Sequence, residues 1–467
     1  MKLFQAIQNI FRIPDLRKRV LFMLGLLAVY RLGAFIPVPG INTELLQQVF
    51  EQARGSVLGI ADIFSGGNFS RMTIFALGIM PYITASIILQ LMTVVSDTLA
   101  RLQKEGELGR RKITQYTRYL TVVLAAFQAL TIALTLQRQT MGEGQVLVLD
   151  PGMGFILMTI LTLTTGTAFI MWLGEQISDR GIGNGMSLII FAGIVAGLPG
   201  GIAGLYEKVQ VNEWGNFTGL AIGLLIAVMI AVVAFVVLVE GGQRRIPVQY
   251  AKRVVGRRMM GGQMTYLPLR VNSGGVIPPI FASSLLAFPQ TLALVFQGKS
   301  ETMDEVFRVL NWGEPLYIVL QMALIILFAF FYVGIVFNPT ELADNMRKYG
   351  GFIPGIRPGR NTSEHINKIL TRLTFVGGCY LAAVCILPEF LIAGVRLHHL
   401  WLVGDWFDAN FPRWVLEGLN LNFYFGGTSL LIVVGVAMDT VQQIEAQLVM
   451  RHYEGFVKKG RIRGRRG

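Results

Sequence analysis

Apolar residues run along this chain in ten long blocks separated by polar stretches. They lie near Val20 to Ile36, Thr73 to Val95, Tyr119 to Leu136, Phe155 to Leu173, Gly185 to Leu205, Phe217 to Val239, Gly275 to Phe296, Leu316 to Phe337, Thr371 to Leu391 and Phe423 to Asp439. Each is close to the roughly 20 residues a helix needs to cross a bilayer's hydrocarbon. The pattern predicts an all-α, polytopic membrane protein of ten transmembrane helices. Between the first two blocks, "VLGIADIFSGGNFSRM" has helical spacing but is too short to span: Val57, Ile60, Ala61 and Phe64 follow i, i+3, i+4, i+7. Gly66 and Gly67 stop that helix just before the second block.

Composition agrees with the pattern. Of 467 residues, 53% are hydrophobic and 15% charged, with a mean hydropathy of +0.55, which is more apolar than one soluble core requires. The charge is directional. With alternate loops assigned to one side together with both ends, that side carries 32 of the 41 Lys and Arg but 13 of the 28 acids. The positive-inside rule then puts both termini in the cytoplasm. Residues 1–19 read as an uncleaved amphipathic approach to the first span rather than a signal peptide, and 446–467 as a basic cytoplasmic tail.

The spans are chemically quiet. No ionisable residue falls in the middle third of any block, where coupling groups of pumps and transporters sit. Arg31, Glu175, Glu389 and Asp439 lie toward span ends, where snorkelling explains them. Gln90, Gln128, Gln290 and Gln321 suit interhelical hydrogen bonds. Such spans speak against a polytopic solute transporter, the alternative reading, which needs polar groups at the midplane.

An intramembrane enzyme is likewise unsupported. His365, His398, His399 and His452 fall in loops or the tail, and no phosphate-binding G-x-x-x-x-G-K-[ST] loop occurs. Cys379 and Cys385, six apart in the ninth block, point to different helix faces as packing residues. No catalytic residue, cofactor or metal site is expected, and nucleotide energy has to come from a partner.

Glycine is abundant at 53 residues, which lets helix backbones approach closely. Pro81 and the Pro278-Pro279 pair are expected to bend or locally open their spans. Two basic loops, 240–272 and 338–370, exceed what connection requires. The first alternates apolar and basic residues as a hairpin or a basic-faced short helix would. In the second, "GGFIPGIRPG" fixes a loop that projects Arg357. A polyanionic or acidic partner, such as ribosomal RNA or a motor protein, fits these arginines.

The stretches "GAFIPVPGI", "DIFSGGNFSRMTIFALGIMPYITASIILQL", "KEGELGRRKITQYTRY", "WLGEQISDRGIGNGMSLIIFAGIVAGLP", "GQRRIPVQYAKR", "NSGGVIPPIFASS", "GGFIPGIRPG" and "FGGTSLLIVVGVAMDT" run from the first block to the tenth. Together they resemble the SecY family, channel subunits of the bacterial protein-conducting translocon. The resemblance implies an hourglass pore between two pseudo-symmetric halves, 20–205 and 206–445, with unfolded polypeptide crossing the middle. Signal sequences and membrane helices would leave sideways between spans two and three on one side and seven and eight on the other.

The resemblance also assigns residues. It carries the pore ring onto Ile79, Ile83, Met186, Ile190, Ile280 and Ile432, and makes 57–70 a plug containing Val57, Ile60, Ala61, Phe64, Gly66 and Gly67. Arg244, Arg245, Lys252, Arg253 and Arg357 become docking surfaces for the SecA motor ATPase and the ribosome. SecE and SecG subunits, translocating polypeptides and membrane lipids are the other partners implied, in the bacterial cytoplasmic membrane.

The residues themselves support two parts of this. Ile79 with Ile83, and Met186 with Ile190, are i,i+4 pairs on one helix face. Alkyl side chains can close around a passing chain while offering water and ions little to hold. Burying three large apolar side chains of the plug stabilises by roughly 5 to 8 kcal/mol, and ordering about ten residues costs a similar amount. A removable stopper follows. Residues 394–422, with Trp401, Trp406 and Trp414, are longer than the usual family connection and are expected to form a short helix on the outer leaflet.

Overall fold

The computed structural model describes residues 13–52, 62, 65–138, 140–141, 145–210, 218–250, 253–255, 258–260, 264–296, 314–393 and 427–459. Its helices are α1 (Pro14–Gly33), α2 (Thr43–Gln52), α3 (Met80–Val95), α4 (Asp97–Lys104), α5 (Glu107–Arg138), α6 (Met153–Arg180), α7 (Gly185–Gln210) and α8 (Thr218–Glu240). They continue with α9 (Ile277–Phe296), α10 (Pro315–Val336), α11 (Pro339–Lys348), α12 (Arg360–Ala393) and α13 (Gly427–Lys459). A helix lies under each of the ten apolar blocks. Among the described residues, six are long and apolar enough to cross a membrane unaided: those over Glu107–Gln137, Met153–Arg180, Gly185–Ala203, Pro315–Lys348, Arg360–Leu387 and Thr428–Leu448. Ile226–Glu240 and Ile277–Leu286 are shorter apolar helices.

The second block differs from its expectation. Residues 73–79 are turns, helix begins only at Met80, and the α3–α4 pair bends by 100° after Val95. Apolar composition does not record this, but chain geometry does. Gly78 takes a positive φ of 56°, and Pro81 stands in the first turn of α3, where its missing N–H is not needed. Pro81 thus starts the helix rather than kinking it. The same holds for Pro278 and Pro279 at the start of α9, where the Ser283 hydroxyl bonds to the Pro279 and Ile280 carbonyls at 3.0 and 3.1 Å. Pro199 stands inside α7, Pro289 inside α9 and Pro388 inside α12.

The described residues divide into two compact units: Met1–Ile202 with Gln290–Asp304 and Ile432–Gly467, and Ala203–Pro289 with Glu305–Leu431. In the first, α1, α3, α5 and α6 pack around one core. Ala125, Ala129 and Ala133 line one face of α5 and are fully buried, so Met72, Ala76, Leu77, Phe155 and Leu163 close directly onto its backbone stripe. The 72–74 stretch pairs with 36–38, through Val38 N–H to Met72 O (2.9 Å) and Ile74 N–H to Ile36 O (3.0 Å). A side chain on Gly33 of α1 would strike the Phe75 ring, and one on Gly166 of α6 would strike the Ile74 carbonyl. Those two bare positions let residues 73–79 wedge between helices. Away from the core, α6 turns Leu157 and Leu161 outward at 63% and 67% exposure, an apolar surface suited to lipid or to another membrane helix.

In the second unit α10 packs on α12, with Gly378 admitting the Ile326 backbone. Beyond them strands β3 (Gln243–Tyr250), β6 (Met264–Arg270) and β7 (Gly351–Phe352) form a sheet in the order β6-β3-β7. Strands β1 (Thr140–Met141) with β2 (Gln145–Val146), and β4 (Arg253–Val255) with β5 (Arg258–Met260), are small separate hairpins.

Candidate functional site

The stem of the short segment before the second block is a tightly organised polar spot in the first unit. Tyr30, buried in the last turns of α1, donates its hydroxyl to the Ser65 carbonyl at 3.3 Å. Asn68, also buried, donates from Nδ2 to that carbonyl at 2.6 Å and to the Tyr30 oxygen at 3.3 Å. Arg31 reaches over to donate from Nη1 to the Gly66 carbonyl at 3.2 Å. Asp62 closes the turn: its carbonyl accepts from Gly67 N–H (2.9 Å) and the Ser65 hydroxyl (3.0 Å), and its Oδ1 accepts from Ser70 N–H (2.8 Å). Burial pushes the Asp62 carboxyl above the usual carboxylate range, against the opposing pull of the Ser70 and Phe69 hydrogen bonds and the Arg71 charge.

The stem rests on bare backbone. Gly66 and Gly67 take positive φ of 72° and 81°, the left-handed conformation that ends a helix at glycine. A Cβ on Gly66 would stand 2.6 Å from the Gly193 Cα, so α7 and the stem meet glycine on glycine. Ser65 lies in ordinary contact with the Gly78 position, 3.7 Å from where a Cβ would be.

Those two contacts locate the candidate ring residues. Gly78 immediately precedes Ile79, whose carbonyl accepts the Ile83 N–H at 3.1 Å, and both isoleucines are buried. Gly193 follows Ile190, also buried, by three residues on α7. The stem therefore lies beside the chain next to both i,i+4 pairs. Met186 is the exception among them. It is half-buried, with its sulfur over Gly174 of α6, filling the notch that glycine leaves. Ile280 on α9 and Ile432 on α13 are buried, Ile280 in the second unit and Ile432 in the first. Val57, Ile60, Ala61 and Phe64 lie outside the described residues, as do the 394–422 segment and Lys252.

The sequence reading missed Tyr30, Asn68, Asp62 and Gly193. It took Arg31 as a snorkelling residue, whereas its guanidinium holds the stem. Glu175, read the same way, accepts the Arg118 guanidinium at 2.7 Å and ties α5 to α6.

The basic loops form the other candidate site. The first is a hairpin, running Gln243 opposite Arg270 through Gln249 opposite Met264. The second joins its free side, pairing Gln249 with Phe352 and Tyr250 with Gly351. Ile246, Val248 and Leu269 from the hairpin and Met346, Ile353, Ile366 and Leu370 from α11, α12 and their connection make one apolar cluster beneath. Residues 353–356 form a type II turn closed by Ile356 N–H to Ile353 O at 3.1 Å, with Pro354 at its second place and Gly355 at φ 83° at its third. Arg357 follows, exposed, its carbonyl fixed by the Thr362 hydroxyl at 2.9 Å. Arg244 and Arg245 are exposed on β3, and Arg253 belongs to β4. At the hairpin base, Asn272 donates to Glu240 Oε1 (2.6 Å) and Gly275 O (3.1 Å), linking the end of α8 to the start of α9.

A family model described as SecY matches residues 73–441. The chain is 48% identical to the protein translocase subunit SecY of Escherichia coli K12 over 452 residues, covering 96% of each. It is 48% identical to that of Vibrio cholerae over 457 residues, covering 97% of this chain and 96% of that one. A solved structure described as showing that the plug domain of the SecY protein stabilises the closed state aligns with a TM-score of 0.60 at 17% identity over 92% of both chains. The yeast Ssh1 complex bound to the 80S ribosome aligns at 0.56 and 13% identity, over 90% of this chain and 87% of that one.

Proposed function

This chain belongs to the SecY family, and from that premise we propose that it is the gated, non-enzymatic pore of a protein translocase in the bacterial cytoplasmic membrane. Unfolded polypeptide passes through it, and apolar segments leave it sideways into lipid. The observation that carries this reading is the seating of the stem against Gly78 and Gly193, beside the residues assigned to the ring.

A stopper must be held firmly enough to close the pore and weakly enough to leave. A handful of hydrogen bonds and one glycine contact suit both needs, since each neutral hydrogen bond contributes only about 1 kcal/mol net. Ile79, Ile83, Ile190, Ile280 and Ile432 form the constriction, and the Met186 side chain, lying over Gly174, lines its edge more than its centre. The two halves move about the connection following α7.

Docking belongs to the basic loops on the cytoplasmic face, which carries both termini. Arg244, Arg245, Lys252, Arg253 and Arg357 meet the ribosome or the SecA motor, and SecE and SecG complete the complex. The ribosome-bound Ssh1 relative supports a ribosomal partner. An arrested secretory chain, offered to Ile79→Cys, Ile190→Cys, Ile280→Cys and Ile432→Cys variants, tests the path. Cross-links at all four are expected; a chain that labels none of them while still being exported would overturn the reading.

A further inference from the structure

One charged cluster lies beside the stem. The guanidinium carbons of Arg31 and Arg71 both lie over the ring of Phe35, at 5.6 and 5.9 Å from its centroid. Two like charges gathered at one ring repel each other, and a shared anion turns that repulsion into attraction. The acid facing Arg71 is Asp62, whose Oδ1 already accepts the Ser70 N–H. Among the described residues the Arg71 guanidinium makes no hydrogen bond or ion pair, and Arg31 spends one of its five donors on Gly66.

The setting selects the anion. Leu32, Phe35 and Ile36 are exposed at 70%, 62% and 53%, an apolar track leading away from the arginines where the first span ends. The carbonyls that would repel an anion at this helix end are taken: Arg31, Leu32 and Gly33 accept from Ala34, Phe35 and Ile36 at 3.2 to 3.3 Å. Two forked cations beside an exposed apolar surface match a phosphate carrying hydrocarbon.

We infer that Arg31 and Arg71 bind the phosphate of an anionic phospholipid, its acyl chain lying along Leu32, Phe35 and Ile36. Because Arg31 also holds the Gly66 carbonyl, the lipid steadies the stem. This goes beyond the channel reading and is tested without transport. The full-chain complex, examined by native mass spectrometry, should retain phosphatidylglycerol about five-fold better than phosphatidylcholine, the worth of one surface cation. Arg71→Gln should abolish that preference and Arg71→Lys should keep part of it. Unchanged preference in Arg71→Gln, or equal retention of soluble glycerol phosphate, would overturn the inference. A photo-cross-linker replacing Leu32 gives a second check: a lipid adduct supports it, and a protein adduct alone overturns it.

Discussion

The stem at Gly66 and the sheet built on β3 both join segments far apart in the chain, but they are held by different physics. The sheet has a continuous antiparallel register from Gln243 to Gln249, a second strand on its other side, and an apolar cluster centred on Ile246, Ile366 and Leu370. The stem has hydrogen bonds from Tyr30, Asn68 and Arg31 and a contact between two glycines. Apolar burial scales with area and resists partial loss, whereas a few polar contacts can be given up to water and regained. On the proposed reading, a platform that bears a partner is built the first way, and a plug that comes and goes is built the second.

The contrast can be broken at either end. Gly66→Val should have the largest effect, because a left-handed φ on a branched residue and a collision with Gly193 each cost about 1 to 3 kcal/mol. Resting ion leak through reconstituted vesicles should rise at least tenfold while partner binding at the sheet is unchanged; loss of both would erase the distinction. Ile366→Ala, at a fully buried place in the cluster, should cost roughly 2 to 5 kcal/mol and give the mirror image. Here ribosome or motor binding falls, measured by co-sedimentation, and the leak stays at its resting level.

Smaller changes sharpen the comparison. Tyr30→Phe removes one hydroxyl from the stem, about 1 kcal/mol, and should raise resting leak about five-fold. Acidity gives the finest probe. The seated stem holds the Asp62 proton more tightly than a free carboxyl near 3.8 does. Seating is therefore strongest below that ordinary value and weakens as pH rises through the raised one. Leak measured over the mildly acidic range should fall with falling pH, and Asp62→Asn should flatten the dependence. A leak that rises on acidification in the native protein alone would reverse the sign and rule out the carboxyl as the cause.

Much of this was legible in the chain. Each of the ten apolar blocks carries a helix, because apolar run length is a one-dimensional property, and among the described residues six of those helices are long and apolar enough to span. The alternation at 243–270 allowed a hairpin or a basic-faced short helix, and the structure has the hairpin, while Gly66 with Gly67 marked where the short helix ends. What escaped was contact between distant segments. Nothing in "FAGIVAG" says that Gly193 faces Gly66, and Arg31 near a span end looks like any snorkelling residue until its partner is known. The misplaced start of the second span has a local cause: hydropathy counts Ile74, Phe75 and Leu77 as membrane helix although Gly78 and Pro81 already mark a turn and a helix start.

The sheet's strand order also sets a timetable for the newborn chain. Tyr250 pairs with Gly351, about a hundred residues later, so at ordinary rates of synthesis one side of β3 waits on the order of ten seconds for its neighbour. Throughout that wait its backbone groups form an open edge, ready to accept any extended strand nearby. Completion of β7 covers the Gln249–Tyr250 end of that edge, and it can happen only after the chain of α9 and α10 has been made. The two-residue strand is thus a receipt: its formation reports that the preceding pair of spans has been synthesised.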